Sequence, residues 1–268
     1  MLKDITLGQY FPGRSIVHRL DPRTKLIGLI VYIVALFLAN SWISYGILFV
    51  FLAGSIALSR IPLKSFLRGM KPLLFILVFT AALNVFLTPG ETVLVSFWVI
   101  RITVEGLVRA MFMLARIVML VTATFLMTYT TSPISLTDGL ESLLGPLKVI
   151  HVPVHELSMM MCIALRFIPT LIEETDKIMS AQKARGADFE NGNLIEKAKA
   201  MVPLLVPLFI SAFRRADELA VAMECRCYHG GEGRTKLKVL RYKGIDYVAM
   251  ALGVAMVAAV FVLAHFGL

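Results

Sequence analysis

The sequence predicts an all-α polytopic membrane protein, with about five transmembrane helices and a cytosolic domain of long amphipathic helices. Apolar residues make up 58% of the 268 residues, above the roughly 45–50% that is usual in soluble domains, and most of them lie in long runs with few charges. The stretch 151–235 differs, because charged residues recur through it at helical spacing. This pattern indicates long helices that lie outside the bilayer.

The apolar runs divide into five predicted spans, of which the last two are long enough to cross a hydrocarbon layer of ~30 Å. Asn40-Ser41 separates the first two. A single helix over both would be about 50 Å long at 1.5 Å per residue, too long for one crossing. We therefore expect two helices joined by a tight outside turn. The predicted spans are 26–39, 42–59, 72–87, 105–128 and 245–266.

Basic residues predict the orientation, since lysine and arginine concentrate in cytosolic loops. Nearly all of the 27 lysines and arginines fall before the first span, between the second and third spans, or between 129 and 244. We expect a cytosolic amino terminus and an outside carboxyl terminus. The predicted domains are four transmembrane helices in 1–130, the cytosolic helices in 131–240 and the last transmembrane helix in 241–268.

Two arginines, Arg109 and Arg116, lie within the fourth predicted span. They are seven residues apart and share one helix face. Charged side chains at such depth usually face protein or reach toward the membrane surface. We expect structural contacts from these arginines, with a place on a substrate pathway as the alternative.

The two cytosolic helices differ in the pattern of their apolar residues. The first has a near-heptad apolar stripe with its acidic residues off the stripe. The second begins at about Leu194 and contains the apolar run MVPLLVPLFISAF (201–213). This run is too short, and too broken by its two prolines, to cross a bilayer. We expect it to contact another membrane protein or lipid through Met201, Leu204, Leu205, Leu208 and Phe209.

The sequence argues against an enzyme, a nucleic-acid-binding protein and a metal site. Acidic and basic residues nearly balance between 151 and 235, so no basic patch is expected there. No Gly-Lys dipeptide occurs, which excludes a phosphate-binding loop. His155-Glu156 lacks the second histidine of a zinc motif, and Cys225-x-Cys227 alone is a weak metal motif. We expect no catalytic residues, no bound metal and no cofactor.

Each cytosolic helix is predicted to end on an arginine between two small residues. These triplets are Ala184-Arg185-Gly186 and Cys225-Arg226-Cys227. One such ending could be a helix terminus whose positive charge suits the helix dipole. Two on consecutive amphipathic helices favour docking, because arginine offers a rigid fork of donors to a carboxylate and small neighbours let it enter a groove.

Three segments resemble the transmembrane coupling component of bacterial energy-coupling factor (ECF) transporters, the EcfT or CbiQ-like family. They are LDPRTKL (20–26), AQKARGADF (181–189) and AMECRCYHGGEGRT (222–235). The resemblance implies that the two helices are coupling helices, which cross as an X and dock through their arginine triplets on two ABC-type ATPases, an EcfA-like pair. It also implies a small membrane-embedded S component that binds a vitamin or a transition-metal ion, in the bacterial cell membrane.

The second triplet departs from the Ala-Arg-Gly pattern of that family, because it reads Cys-Arg-Cys. Cysteine cannot adopt a positive φ as cheaply as glycine. We therefore expect the second helix to continue past Arg226 toward Gly230.

Two other functions stay open from the sequence. A self-contained secondary transporter would show inverted repeats and ionisable residues at mid-membrane; no repeat is evident, and only Arg109 and Arg116 are candidates. A membrane-embedded enzyme would need an acid–base or nucleophile set, which the sequence does not present.

Overall fold

A computed structural model describes residues 10–88, 92–97, 100–187, 189, 193–231 and 239–266. The chain divides into two compact units. The larger unit contains Gly8–Gly139 and Leu240–Leu268, and the smaller contains Leu140–Val239.

Helices account for nearly all of the described structure, which confirms the predicted all-α class. Two short 3-10 turns, Lys71–Leu73 and Gly145–Ile150, connect some of them. The helices are α1 (Ile16–Arg19), α2 (Pro22–Leu38), α3 (Trp42–Ser59), α4 (Leu63–Met70), α5 (Leu74–Leu87), α6 (Val104–Thr130), α7 (Pro133–Leu143), α8 (Val154–Ala184), α9 (Leu194–Glu224) and α10 (Gly244–Phe266).

Within the described residues, a small β-hairpin departs from the all-helical prediction. Strand β1 (Val93–Phe97) pairs antiparallel with β2 (Ile100–Thr103) in the loop between α5 and α6. Both strands are rich in the β-branched residues valine, isoleucine and threonine, which favour extended backbone.

Among the described residues, five helical stretches are long and apolar enough to cross a membrane, as predicted, but the set differs by one. Helix α2 has 17 residues and a length of about 26 Å, at the lower end of what a crossing needs. Helix α8 enters the set because its first half is mostly apolar. The five stretches are Trp42–Ser59, Leu63–Phe86, Val104–Thr130, Val154–Ala184 and Gly244–His265.

The predicted break between the first two spans is confirmed. Helix α2 ends at Leu38, and Ser41 caps α3 by accepting a hydrogen bond from the backbone N–H of Ser44. Leu36 and Leu48 are fully buried on the facing helices. The Tyr32 hydroxyl donates to the Leu48 carbonyl at 3.3 Å. The two helices therefore pack as a pair within the larger unit.

Arg116 makes the predicted structural contacts. Its Nε donates to the Tyr45 hydroxyl at 3.0 Å, and its terminal nitrogen donates to the Ala39 carbonyl at 3.2 Å. The second bond satisfies a carbonyl at the carboxyl end of α2, where a positive charge is also favoured by the helix dipole. Arg109 is exposed and makes no ion pair or hydrogen bond within the described part of the chain.

Candidate functional site: two arginine helix ends

The first arginine triplet forms a Schellman helix end. The backbone N–H of Ala187 donates to the carbonyl of Gln182 at 3.0 Å, and that of Gly186 donates to the carbonyl of Lys183 at 3.0 Å. Gly186 has φ +91°, which glycine adopts at little cost. Arg185 is thus the last residue before the chain turns away from α8.

The second triplet forms the same helix end, so the prediction that the helix continues to Gly230 is wrong. The backbone N–H of Tyr228 donates to the Met223 carbonyl at 3.0 Å, and that of Cys227 donates to the Glu224 carbonyl at 2.9 Å. Cys227 itself takes φ +57°. The two hydrogen bonds to the last turn outweigh the cost of left-handed backbone at a non-glycine residue.

Both arginines occupy the same place in this motif, directly before the residue with positive φ. Arg185 and Arg226 are exposed, as are Ala184, Gly186, Cys225 and Cys227. Neither guanidinium group forms an ion pair or a side-chain hydrogen bond among the residues that the structure describes. Each tip therefore presents a charged fork that has no carboxylate partner in the described chain.

Helices α8 and α9 pack antiparallel. Glu174 accepts hydrogen bonds from the Ser211 hydroxyl at 2.5 Å and from Arg215 at 2.6 Å. Farther along α8, Gln182 Nε2 donates to the carbonyl of Pro203 at 3.5 Å. Later positions in α8 thus face earlier positions in α9. The hydrogen bond from Ser211, and then that from Arg215, lower the pKa of Glu174.

The antiparallel register places the two arginine tips at opposite ends of the helix pair. Gly231, just beyond the second tip, packs against the ring of His155 in the first turn of α8. His155 Nδ1 is held in turn by Glu141 Oε1 at 3.1 Å. Arg226 therefore lies level with the first turns of α8, whereas Arg185 ends that helix. At 1.5 Å per residue the tips are roughly 40 Å apart.

Proline leaves α9 with missing backbone donors where it contacts α8. Pro207 has no N–H for the carbonyl of Pro203, four residues earlier. The Gln182 side chain approaches that carbonyl instead.

Helix α9 is nevertheless continuous from Leu194 to Glu224, and Leu194 is the predicted start. Its first turn is stabilised by Glu196, whose carboxylate accepts from the Asn193 backbone N–H at 2.9 Å.

The apolar run in α9 exposes one face and buries the other. Of the predicted contact residues, Met201, Leu205 and Phe209 are exposed, Leu208 is half-buried, and Leu204 is only 6% exposed. Sequence reasoning missed further exposed apolar residues on the same face. They recur at helical spacing with the first three, and that spacing could have found them: Val202, Val206, Ile210 and Phe213.

The described residues contain no cluster of three or more histidine, cysteine, aspartate or glutamate side chains arranged to hold a metal ion. Cys162, Cys225 and Cys227 form no disulfide bond within the described part of the chain.

The chain is similar along nearly its whole length to known transporter components. A sequence profile of the CbiQ family, described as cobalt transport protein, matches residues 13–237. The protein named energy-coupling factor transporter transmembrane protein EcfT is 55% identical in Acidaminococcus fermentans, over 99% of this chain and 97% of that one. It is 51% identical in Ruminiclostridium cellulolyticum, over 99% of each chain. The Bacillus subtilis protein of the same name is 48% identical, over 98% and 99%.

The left-handed backbone at Cys227 predicts opposite effects for the same substitution at two neighbouring positions. Cys227→Gly should raise the free energy of unfolding by roughly 0.5–1 kcal/mol, because glycine relieves the cost of a positive φ. Cys225 has φ −60°, so Cys225→Gly should lower the free energy of unfolding by a similar amount. Thermal unfolding of the purified chain in detergent measures both.

Gly186→Ala tests the first tip in the same way. A Cβ at Gly186 would meet no atom within 4 Å, so only the positive φ opposes it. The melting temperature should fall, by an amount that corresponds to roughly 1 kcal/mol. Equal effects of glycine at Cys225 and Cys227 would show that the second helix end is not the one described.

Proposed function

The chain belongs to the CbiQ family of energy-coupling factor transporter transmembrane components, and on that premise we propose that it couples ATP hydrolysis to transport without catalysing either step. The proposed partners are two ABC-type ATPases and a small membrane-embedded S component. The S component would bind the transported substrate, a vitamin or a transition-metal ion. The chain would transmit movement of the ATPases to the S component.

The single observation that supports this function best is the pair of matching helix ends. Both present an arginine with no partner in the described chain, and both hold it in the same backbone geometry. A guanidinium fork binds a carboxylate through two parallel hydrogen bonds. We propose that each fork enters a groove on one ATPase and pairs with a carboxylate there, with the small neighbours in each triplet allowing close approach.

The spacing of the tips supports two docking events rather than one. Two arginines about 40 Å apart at opposite ends of a helix pair are too far apart for one groove. Two ATPase subunits, each holding one tip, would pull on the two ends of the α8–α9 pair when they close on ATP. The Glu174 contacts with Ser211 and Arg215 would keep the helices together during that movement.

The exposed apolar face of α9 is proposed to contact the S component. Its seven exposed apolar side chains lie between positions 201 and 213, in a segment that is otherwise flanked by charged residues. A face of this kind marks a protein or membrane contact. We assign it to the S component because it lies midway along α9, away from the tip proposed for the ATPase.

The proposed topology follows the positive-inside rule. The amino-terminal helices in 1–130 and the last helix in 241–268 would cross the bacterial cell membrane, with the amino terminus in the cytosol. The coupling helices in 131–240 would lie on the cytosolic side. Helix α8 would stay out of the bilayer despite its length, because Glu173, Glu174, Asp176 and Lys177 interrupt its second half.

Substitution of both tip arginines should abolish assembly, whereas single substitutions should weaken it. Breaking one buried charge pair by Arg185→Ala or Arg226→Ala costs about 3–5 kcal/mol, because the partner carboxylate is left uncompensated. One intact tip still holds an ATPase dimer and raises its effective concentration at the other. Co-purification of ATPases and substrate uptake should fall partly in each single variant and be lost in the double variant.

Two exposed arginines on the same helices are matched controls. Arg166→Ala on α8 and Arg214→Ala on α9 remove the same charge away from the tips and should leave assembly and uptake unchanged. Arg185→Lys and Arg226→Lys should rescue poorly, since an ammonium group cannot reproduce the fork. If the double alanine variant assembles and transports normally, the two arginines have no docking role and only mark the helix ends.

A charge on the exposed face of α9 should release the S component selectively. Phe209 is 67% exposed, so Phe209→Asp disturbs no core and places a charge in the proposed interface. The S component should no longer co-purify, while both ATPases stay bound. Ala216→Asp, at an exposed position beyond the apolar face, is the control. Loss of the ATPases before the S component would assign this face to the wrong partner.

A further inference from the structure

The segment 20–26, LDPRTKL, joins α2 to α10, the last helix of the larger unit, through buried polar groups. The Asp21 backbone N–H donates to Asp246 Oδ1 at 2.8 Å, and the Lys243 backbone N–H donates to Asp246 Oδ2 at 2.7 Å. Asp246 is only 1% exposed. The Asp21 side chain in turn caps α2 by accepting from the Arg23 backbone N–H at 3.0 Å. One carboxylate thus fixes the starts of α2 and α10.

Pro22 and Arg23, which are adjacent in this segment, contact the two residues at which the chain leaves the larger unit and returns to it. Gly139 is the last residue of the larger unit before the chain leaves it, and Leu240 is the first after the chain returns. A Cβ on Gly139 would lie 2.9 Å from the Cβ of Pro22. Arg23 donates to the Leu240 carbonyl at 3.1 Å, and its guanidinium group lies 5.1 Å from the Tyr242 ring centre.

A third residue fixes the end of α6, from which the chain runs toward the smaller unit. Lys25 Nζ donates to the Thr130 carbonyl at 2.8 Å and to Thr131 Oγ1 at 3.1 Å. Its ammonium group also satisfies a carbonyl at the carboxyl end of a helix, where a cation is favoured.

We propose that Pro22, Arg23 and Lys25 are positioning residues for coupling, which hold both connections to the α8–α9 unit against α2, α6 and α10. The inference rests on the proposed function. If the chain segments that join α8 and α9 to the larger unit could move freely, they would absorb a displacement of the coupling helices. The displacement would then not reach the transmembrane helices. Anchoring both connections at one buried point passes that displacement to three helices together, because packed elements and hydrogen-bonded networks carry mechanical coupling.

Arg23→Met removes the hydrogen bond to Leu240, the ion pair with Asp21 and the contact with the Tyr242 ring, and it leaves both arginine tips unchanged. Arg19→Met is the matched control, since Arg19 is exposed and lies four residues earlier. The measurements are ATPase co-purification, ATP turnover and substrate uptake in the reconstituted complex. Uptake per ATP hydrolysed should fall about tenfold in Arg23→Met, the loss expected for one hydrogen bond of a charged group. Assembly and ATP turnover should stay near wild type, and Arg19→Met should behave as wild type.

Gly139→Ala provides a second variant that does not remove a charge. Alanine stabilises a helix relative to glycine, so α7 should form, but the added methyl group presses on Pro22. Gly28→Ala is the control, because an added Cβ there meets no atom within 4 Å. The same loss of uptake per ATP should appear for Gly139→Ala alone.

Loss of coupling with assembly retained in both variants would support the inference. Normal coupling in both variants would overturn it, and so would equal loss of assembly, ATP turnover and uptake, which would show that the segment only maintains the fold. A wild-type chain that brings down no ATPases would instead contradict the proposed function, whatever the variants do.

Discussion

Each of the two long amphipathic helices, α8 and α9, must satisfy the carbonyl groups of its last turn, and the geometry of the candidate site depends on how it does so. In both, a residue with positive φ lets two backbone N–H groups turn back to those carbonyls. Because backbone groups satisfy these carbonyls, the side chain of the preceding arginine is not needed to cap the helix. Its guanidinium group extends into solvent, free to bind a partner. The proposed docking chemistry is therefore a consequence of how the helix ends are closed.

The antiparallel packing of α8 and α9 holds the two arginine tips at a fixed distance from each other. Glu174 and Gln182 fix the register from one side, and His155 fixes it near the second tip. A shift of one helix along the other by one turn would change the distance between the tips by about 5 Å. The contacts along the pair therefore set the distance that the two proposed ATPases must match.

Much of this arrangement could be predicted from the sequence, since it depends on local patterns. The turn at Asn40-Ser41, the start of α9 at Leu194, the first arginine end and the contacts of Arg116 all follow from hydrophobic periodicity, capping residues and buried charge. The left-handed backbone at Cys227 could not be predicted. Propensity alone places the helix end at Gly230, which does adopt a positive φ, but the hydrogen bonds available three residues earlier already end the helix at Cys227.

Tertiary packing explains the other differences. Leu204 and Phe209 share one apolar run, yet only the packed structure distinguishes the buried residue from the exposed one. The hairpin in 93–103 required a choice between strand and loop that β-branched residues alone do not settle. The role proposed for the LDPRTKL segment was also hidden, because its partners Gly139, Leu240 and Asp246 lie more than one hundred residues away in the chain.

The central claim is that the two helix ends dock on two separate ATP-binding subunits. A photo-cross-linking amino acid placed at Ala184 or at Cys225, each directly before a tip arginine, tests it most directly in native membranes. Mass spectrometry of the adducts should identify an ABC-type ATPase at each position, and a complex with both tips labelled should carry two ATPase subunits. Adducts that contain only lipid, or only this chain, at both positions would contradict the account.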